Sequence, residues 1–222
     1  MTTPVRILFT RYRALLLVRH GNTMTAARDF DRSLSKEGGR QCARAATTWL
    51  PKVERQYRFT TIVHSTARRC GQTLRSILKD RSISPIPEPT LYDDILQPKA
   101  KGLWQACGYA PLSDYFAQPG GEAFLMNYAN TVLWRLSEVC HGEQEAGAPA
   151  QNSDQRDSAL LVCGHSIYLN AIALQVAKEL QLSESEKDLS LQTRLAETDG
   201  FLVVGHPKAR MVLLEDDRWD VT

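Results

Sequence analysis

The sequence predicts an α/β protein: a three-layer α/β/α sandwich around a mostly parallel central sheet. Three observations carry this. Aliphatic and β-branched runs alternate with segments of helical periodicity, the pattern of strands joined by helical crossovers. Three of those runs, 14–18, 59–65 and 158–166, lead into polar residues just before a helical segment. The chain has 222 residues, 43% of them hydrophobic, with no long Pro/Gly/Ser linker, which is enough for one buried sheet and gives no sign of a second domain. Residues 1–222 are therefore read as a single domain.

The elements follow in order. Residues 14–18, ALLLV, are a strand buried on both faces. Residues 34–50 read as one helix, with Ser35 as N-cap and apolar positions at Cys42, Ala45, Ala46, Trp49 and Leu50. Residues 59–65, FTTIVHS, form a second strand and 67–80 a second helix. Residues 158–166 form a third strand, followed by a helix over 167–180. The runs 200–206 and 210–216 read as late strands in a hairpin around Pro207. Residues 82–121 differ: they hold six of the ten prolines and four glycines, and read as an insert over the C-terminal strand ends. Residues 142–157 are polar and read as a loop.

Composition excludes several classes. A net charge of +2, with no run of five like charges, argues against a nucleic-acid partner. The hydrophobic runs are too short to span a membrane. The stretch VRILFT near the N-terminus is too short for a signal-peptide core. Five scattered cysteines without a CxxC pair suit a reduced, cytoplasmic setting.

The chemistry gathers at strand ends. In a parallel sheet, ligands bind beyond the carboxyl ends of the strands. Here those ends carry Arg19-His20, His64-Ser65 and His165-Ser166. Two cations ending a buried strand need an anion. Guanidinium groups grip phosphate oxygens in bidentate fashion, and a helix N-terminus adds N–H donors. A neutral imidazole can attack phosphorus, while a second, protonated one steadies charge on its oxygens. The leaving oxygen then needs a general acid, and Glu122 in PGGEA, at the start of a helix, is a candidate.

These segments resemble the histidine phosphatase superfamily, also called phosphoglycerate mutase-like, and its phosphatase branch in particular. LLLVRHGNT resembles the family's strand and RHG motif, and LSKEGGRQ its LTxxGxxQ segment. HSTARRCGQT resembles its SxxxRxxxT segment, PGGEAF its acid-bearing GGE segment, and LLVCGHS the strand ending in its second histidine. The resemblance implies a metal- and cofactor-independent phosphomonoesterase. His20 would become a phosphohistidine. Arg19, Arg69 and His165 would hold the phosphoryl group, Asn22 and Thr23 would add polar contacts, and Glu122 would be the proton donor.

Several positions have rivals. Arg68 competes with Arg69, but the spacing from Ser65 and to Thr73 favours Arg69. His206 in VVGHP competes with His165, but a strand rather than a helix follows it. Asp93 and Asp94 compete with Glu122. The segment after RHG, NTMTAARDFDRSLS, lacks the aromatic and Asn pattern of mutase members, which favours a phosphatase. The expected substrate is a small phosphorylated metabolite, with a phosphoprotein as alternative. The alternative functions are a protein phosphohistidine phosphatase and a regulatory phospho-ligand-binding member of the fold. The insert offers Lys99, Lys101, Trp104, Tyr109 and Tyr115 for specificity, with Trp104 read as part of the insert's own small core.

Overall fold

The central strand of the computed structural model, which describes residues 2–79, 83–93, 95, 97–142 and 156–215, is β1 (Ala14–Arg19). All six of its residues are buried. Ala14, Leu16 and Val18 point to one face and Leu15 and Leu17 to the other, because successive strand side chains alternate. On the first face lie α2 (Lys36–Ala45), α3 (Trp49–Gln56) and α4 (Arg68–Leu78), contributing Cys42, Trp49, Leu50, Val53, Cys70 and Leu74. On the second lie α1 (Pro4–Arg11), α8 (Gly121–Gly142) and α9 (Ser166–Glu179). The predicted α/β/α layering is the observed one. Truncating a fully buried side chain such as Leu16 to alanine in so packed a layer costs about 2–5 kcal/mol.

The sheet has the order β3-β2-β4-β1-β5-β6. β2 (Tyr57–Ser65) runs parallel to β4 (Asp157–Gly164) and to the short edge strand β3 (Ile86–Glu88). β4 runs parallel to β1. β5 (Gly200–Val204) runs antiparallel to β1, and β6 (Arg210–Leu214) antiparallel to β5, forming the expected hairpin around Pro207. Parallel pairing brings the C-terminal ends of β1, β2 and β4 to one edge.

Three elements depart from the sequence reading. The predicted helix 34–50 is two helices. The Thr47 and Thr48 hydroxyls both donate to the Arg44 carbonyl, at 3.0 and 2.9 Å, and end α2 there. α1 was not expected, although it carries a complete start signal: Thr3 Oγ1 accepts from Arg6 N at 3.3 Å and Pro4 occupies the first turn. The insert is not wholly irregular either. Its beginning, β3, joins the sheet, and Glu88 at the end of that strand caps α5 (Thr90–Asp93) by accepting from Thr90 N and Oγ1 at 3.0 and 2.8 Å. The insert continues with α6 (Pro98–Cys107) and α7 (Leu112–Phe116). After α9, α10 (Glu184–Gln192) precedes the hairpin. Most of the predicted polar loop 142–157 lies outside the described residues. Among the described residues no helix is long and apolar enough to cross a membrane.

Candidate active site

Strand register builds the site. Arg19 lies opposite Gly164 and His64 opposite Cys163, so the residues that follow in each strand become neighbours. His20 N donates to Gly164 O at 3.1 Å, and the His20 and His165 rings meet edge to face with centroids 5.1 Å apart. Ser65, at the end of β2, places its Oγ 2.9 Å from His165 Nε2. α4 starts immediately beyond β2 and brings in Arg69, which is only 4% exposed.

The loop after β1 is braced from below by α2. Ser35 caps that helix: its Oγ accepts from Gly38 N at 3.0 Å and donates to Asn22 Oδ1 at 2.7 Å. Gln41 Oε1 accepts from Asn22 N at 2.8 Å, and Thr73 Oγ1 accepts from Gly21 N at 3.1 Å. Position 38 has to be glycine, because a Cβ there would lie 2.1 Å from Asn22 O. The LSKEGGRQ segment therefore acts as a platform for the histidine loop.

Hydrogen bonds assign the tautomers. His20 Nδ1 donates to Gly21 O at 2.8 Å, which leaves Nε2 as the lone-pair nitrogen. Arg69 Nε donates to that Nε2 at 3.1 Å. Arg69 Nη2 lies 3.3 Å from His165 Nδ1; a guanidinium only donates, so His165 carries its proton on Nε2, toward Ser65. Burial, then the Arg69 charge, pushes the His20 pKa down to about 3. Burial, followed by His20, Arg69 and Arg19, holds His165 well below its ordinary value. The expectation was a protonated second imidazole; at rest, burial first and then the arginine charges favour the neutral form of both rings.

Two carboxylates balance those arginines. Arg19 Nη1 donates to Leu195 O at 2.5 Å and Nη2 to Glu197 Oε1 at 3.2 Å, while its buried Nε has no acceptor among the described residues. Asp29, in a 3-10 turn over 29–31, takes Arg69 Nη1 on its carbonyl at 2.6 Å and Nη2 on Oδ2 at 2.8 Å. The same carboxylate accepts from Tyr92 OH at 2.9 Å and from Arg32 Nη1 at 3.1 Å. Partial burial pushes the Asp29 carboxyl up, but Arg69, Arg32 and Tyr92 outweigh it and hold it below the ordinary range. Asp29 thus fills the hydrogen-bonding sites of Arg69 that an oxyanion would use.

A cavity of about 430 Å³ opens above these groups. Arg19, His20, Asn22, Thr23, Arg69 and His165 all line it, so six of the seven sequence-predicted residues come together. Asn22 and Thr23 are already engaged, the latter accepting from Arg32 Nη2 at 2.5 Å. Glu122 is the exception. It does not line the cavity; its side chain is 59% exposed, with Oε1 3.8 Å from Lys178 Nζ. The glycines before it serve packing instead: Gly120 has φ +67°, and a Cβ on Gly121 would lie 1.9 Å from Tyr115 O. Asp93 is exposed and also outside the cavity, and Asp94 lies outside the described residues. His206 is an exposed turn residue. Sequence reasoning missed Asp29, Arg32 and Glu197, which lie in loops; the DFD tripeptide at 29–31 was the one local sign.

The half-buried His20 and the buried His165 carry a stability consequence. Their folded-state pKa values lie below the unfolded value near 6.5, so the unfolded chain binds more protons at acid pH. Stability is full above about 6.5 and is lost as pH falls toward about 3. Between pH 7 and 5 the loss from His20 should be about 2 kcal/mol, and His165 adds to it in the same direction. Urea unfolding at the two pH values measures it, and His165→Asn should remove one share of the slope. A pH-independent midpoint would contradict the neutral assignment.

Comparison with known proteins bears on this geometry. Residues 15–98 match the family model of the histidine phosphatase superfamily (branch 1), the stretch that holds Arg19, His20 and Arg69 but stops short of Glu122 and His165. No curated protein matches the chain. Among solved structures, the alpha-ribazole phosphatase of Shigella flexneri superposes with a TM-score of 0.54 at 19% identity, over 90% of this chain and 95% of its own. A mycobacterial glucosyl-3-phosphoglycerate phosphatase, solved with inorganic phosphate, superposes with a TM-score of 0.53 at 20% identity, over 95% of this chain and 98% of its own. At those identities the likeness speaks for the fold. Residues 15–98 thus resemble the histidine phosphatase superfamily (branch 1) around the first histidine, and the whole chain shares the fold of solved phosphatases of that kind.

Proposed function

We propose that the protein hydrolyses a phosphomonoester through a covalent phosphohistidine on His20. The observation that carries this is the His20 ring itself: neutral, with its Nδ1 tied to Gly21 O and its Nε2 lone pair facing the Arg69 guanidinium. In the first step Nε2 attacks phosphorus and the P–O bond to the leaving group breaks. Arg69 and Arg19 Nε donate to the phosphoryl oxygens. In the second step water attacks the phosphohistidine, the P–N bond breaks and inorganic phosphate leaves.

The leaving oxygen takes up a proton in the first step, and the attacking water loses one in the second. Among the described residues, Asp29 and Glu197 are the carboxylates that line the cavity. We assign both transfers to Asp29. A phosphoryl group that takes the Arg69 N–H groups strips Asp29 of its stabilising cation and sets a dianion beside it, which raises its pKa toward the working range. An alkoxide leaves poorly without a proton, whereas p-nitrophenolate does not need one. Asp29→Asn should therefore lower kcat/KM for an alkyl phosphate by about 100-fold or more, and for p-nitrophenyl phosphate much less. Glu122→Gln should change neither. Equal slowing of both substrates in Asp29→Asn would remove Asp29 from the acid role.

Arginines supply the charge stabilisation in this scheme. Activity is expected to survive EDTA, and vanadate, which adopts a trigonal-bipyramidal geometry, is expected to inhibit competitively. Activity lost on chelation and restored by magnesium or zinc would overturn the scheme.

A further inference from the structure

The outer wall of the cavity is built differently from its floor. α6 buries Ala100 and Leu103 and leaves Trp104, on the same helix, 46% exposed. Trp104 is thus not the core residue that the sequence suggested. It meets Tyr109 edge to face, with centroids 4.8 Å apart and planes at 83°, and Tyr109 is itself 66% exposed. Tyr109 sits just after Gly108, whose φ of +56° turns the chain out of α6, and Tyr115 OH clamps that turn by donating to Gly108 O at 2.6 Å. Both rings line the cavity. The Arg19 guanidinium lies 5.9 Å from the Tyr109 centroid, so the aromatic corner begins about one ring's width from the phosphate-gripping group.

Two large aromatics left half in water at a cavity mouth gain from a flat, unsaturated partner. A polyol would need a dense array of planar polar side chains to satisfy its hydroxyls. Beyond the histidines and their charged partners, the lining includes Ile95, Ile167 and the Tyr168 ring, with Lys101 and Gln105 among its polar residues. A cavity of about 430 Å³ is large enough for a phosphate and a ring beyond it. Resting on the phosphatase reading above, we propose that the substrate is a small phosphomonoester whose leaving group carries a flat aromatic ring, either a nucleoside or an aryl alcohol, held in the Trp104–Tyr109 corner.

The test compares leaving groups of matched intrinsic reactivity. Adenosine 5′-monophosphate against ribose 5-phosphate isolates the base of a nucleotide. Benzyl phosphate against cyclohexylmethyl phosphate isolates flatness in an aryl alcohol. In at least one pair the ring-bearing member should have the higher kcat/KM by about 10-fold or more, the scale of one base–aromatic stack, and the pair that shows it identifies the source of the ring. Trp104→Ala and Tyr109→Ala should pull that ratio toward one, and Trp104→Phe should retain most of it. Hydrolysis of all four with ratios near one, or a ratio unmoved by both alanine variants, overturns the aromatic assignment and leaves the phosphatase reading standing. Release of phosphate from none of the four overturns both.

Discussion

His20→Ala is expected to abolish turnover, by at least about 10,000-fold, the scale seen when a covalent nucleophile is deleted. The same variant should still bind inorganic phosphate, because Arg19 and Arg69 are held by partners other than His20. Arg19 is fixed by Leu195 O and Glu197, and Arg69 by Asp29. The fold should survive, since His20 lies in a cavity wall and the platform under it rests on Ser35, Gly38 and Gln41. In the wild type, mixing with substrate and quenching within one turnover should trap an acid-labile, base-stable phosphate, and peptide mapping should place it on His20. Phosphate trapped on a serine or cysteine, or an active His20→Ala, would end the phosphohistidine mechanism.

Arg69→Ala should produce the second largest effect, a fall in kcat/KM of about 1,000- to 100,000-fold, the range for removing an arginine that stabilises a phosphoryl transition state. One guanidinium here touches His20, His165 and the Asp29 carboxylate at once. Its removal should therefore register in a spectrum as well as in a rate. Arg69 is the second cause, after burial, of the low His20 pKa, so the His20 imidazole in Arg69→Ala should titrate above the wild-type value of about 3. NMR of the ring protons across pH reads this directly. Arg69→Lys should recover little activity, because an ammonium cannot span both histidines and a phosphate as a planar fork does. Full activity in Arg69→Lys would mean that charge alone matters and that the bidentate geometry does not.

Residues that act within a few positions of one another were readable in the chain. β1 ends where its aliphatic run meets Arg19 and His20, and β4 ends one residue before His165. Parallel strands put such ends on one edge whatever the loops do, so the two histidines could be expected together, and the resemblance of HSTARRCGQT to the SxxxRxxxT segment added Arg69. The start of α1 was equally local, in Thr3 and Pro4, but eight residues make a weak periodic signal. The division between α2 and α3 turned on two threonine hydroxyls competing for one carbonyl, which no hydrophobic pattern records.

Glu122 shows where local reading misleads. A glycine pair before a glutamate at a helix start looks the same whether the glycines present an acid or admit a neighbouring backbone. Only the approach of the Tyr115 carbonyl distinguishes the two. Asp29, Glu197 and the exposed face of Trp104 are decided in the same way, by what stands opposite them. Arg19 finds its carbonyl and carboxylate 176 and 178 positions away along the chain, and Arg69 finds Asp29 40 positions back. The sequence by itself determined the sheet, the strand ends and the residue types gathered there, because those follow from hydrophobic period and backbone direction. Which carboxylates share the cavity with the two histidines and Arg69, and which aromatics line it, came only from tertiary structure, since such contacts form between segments whose meeting depends on every loop closed between them.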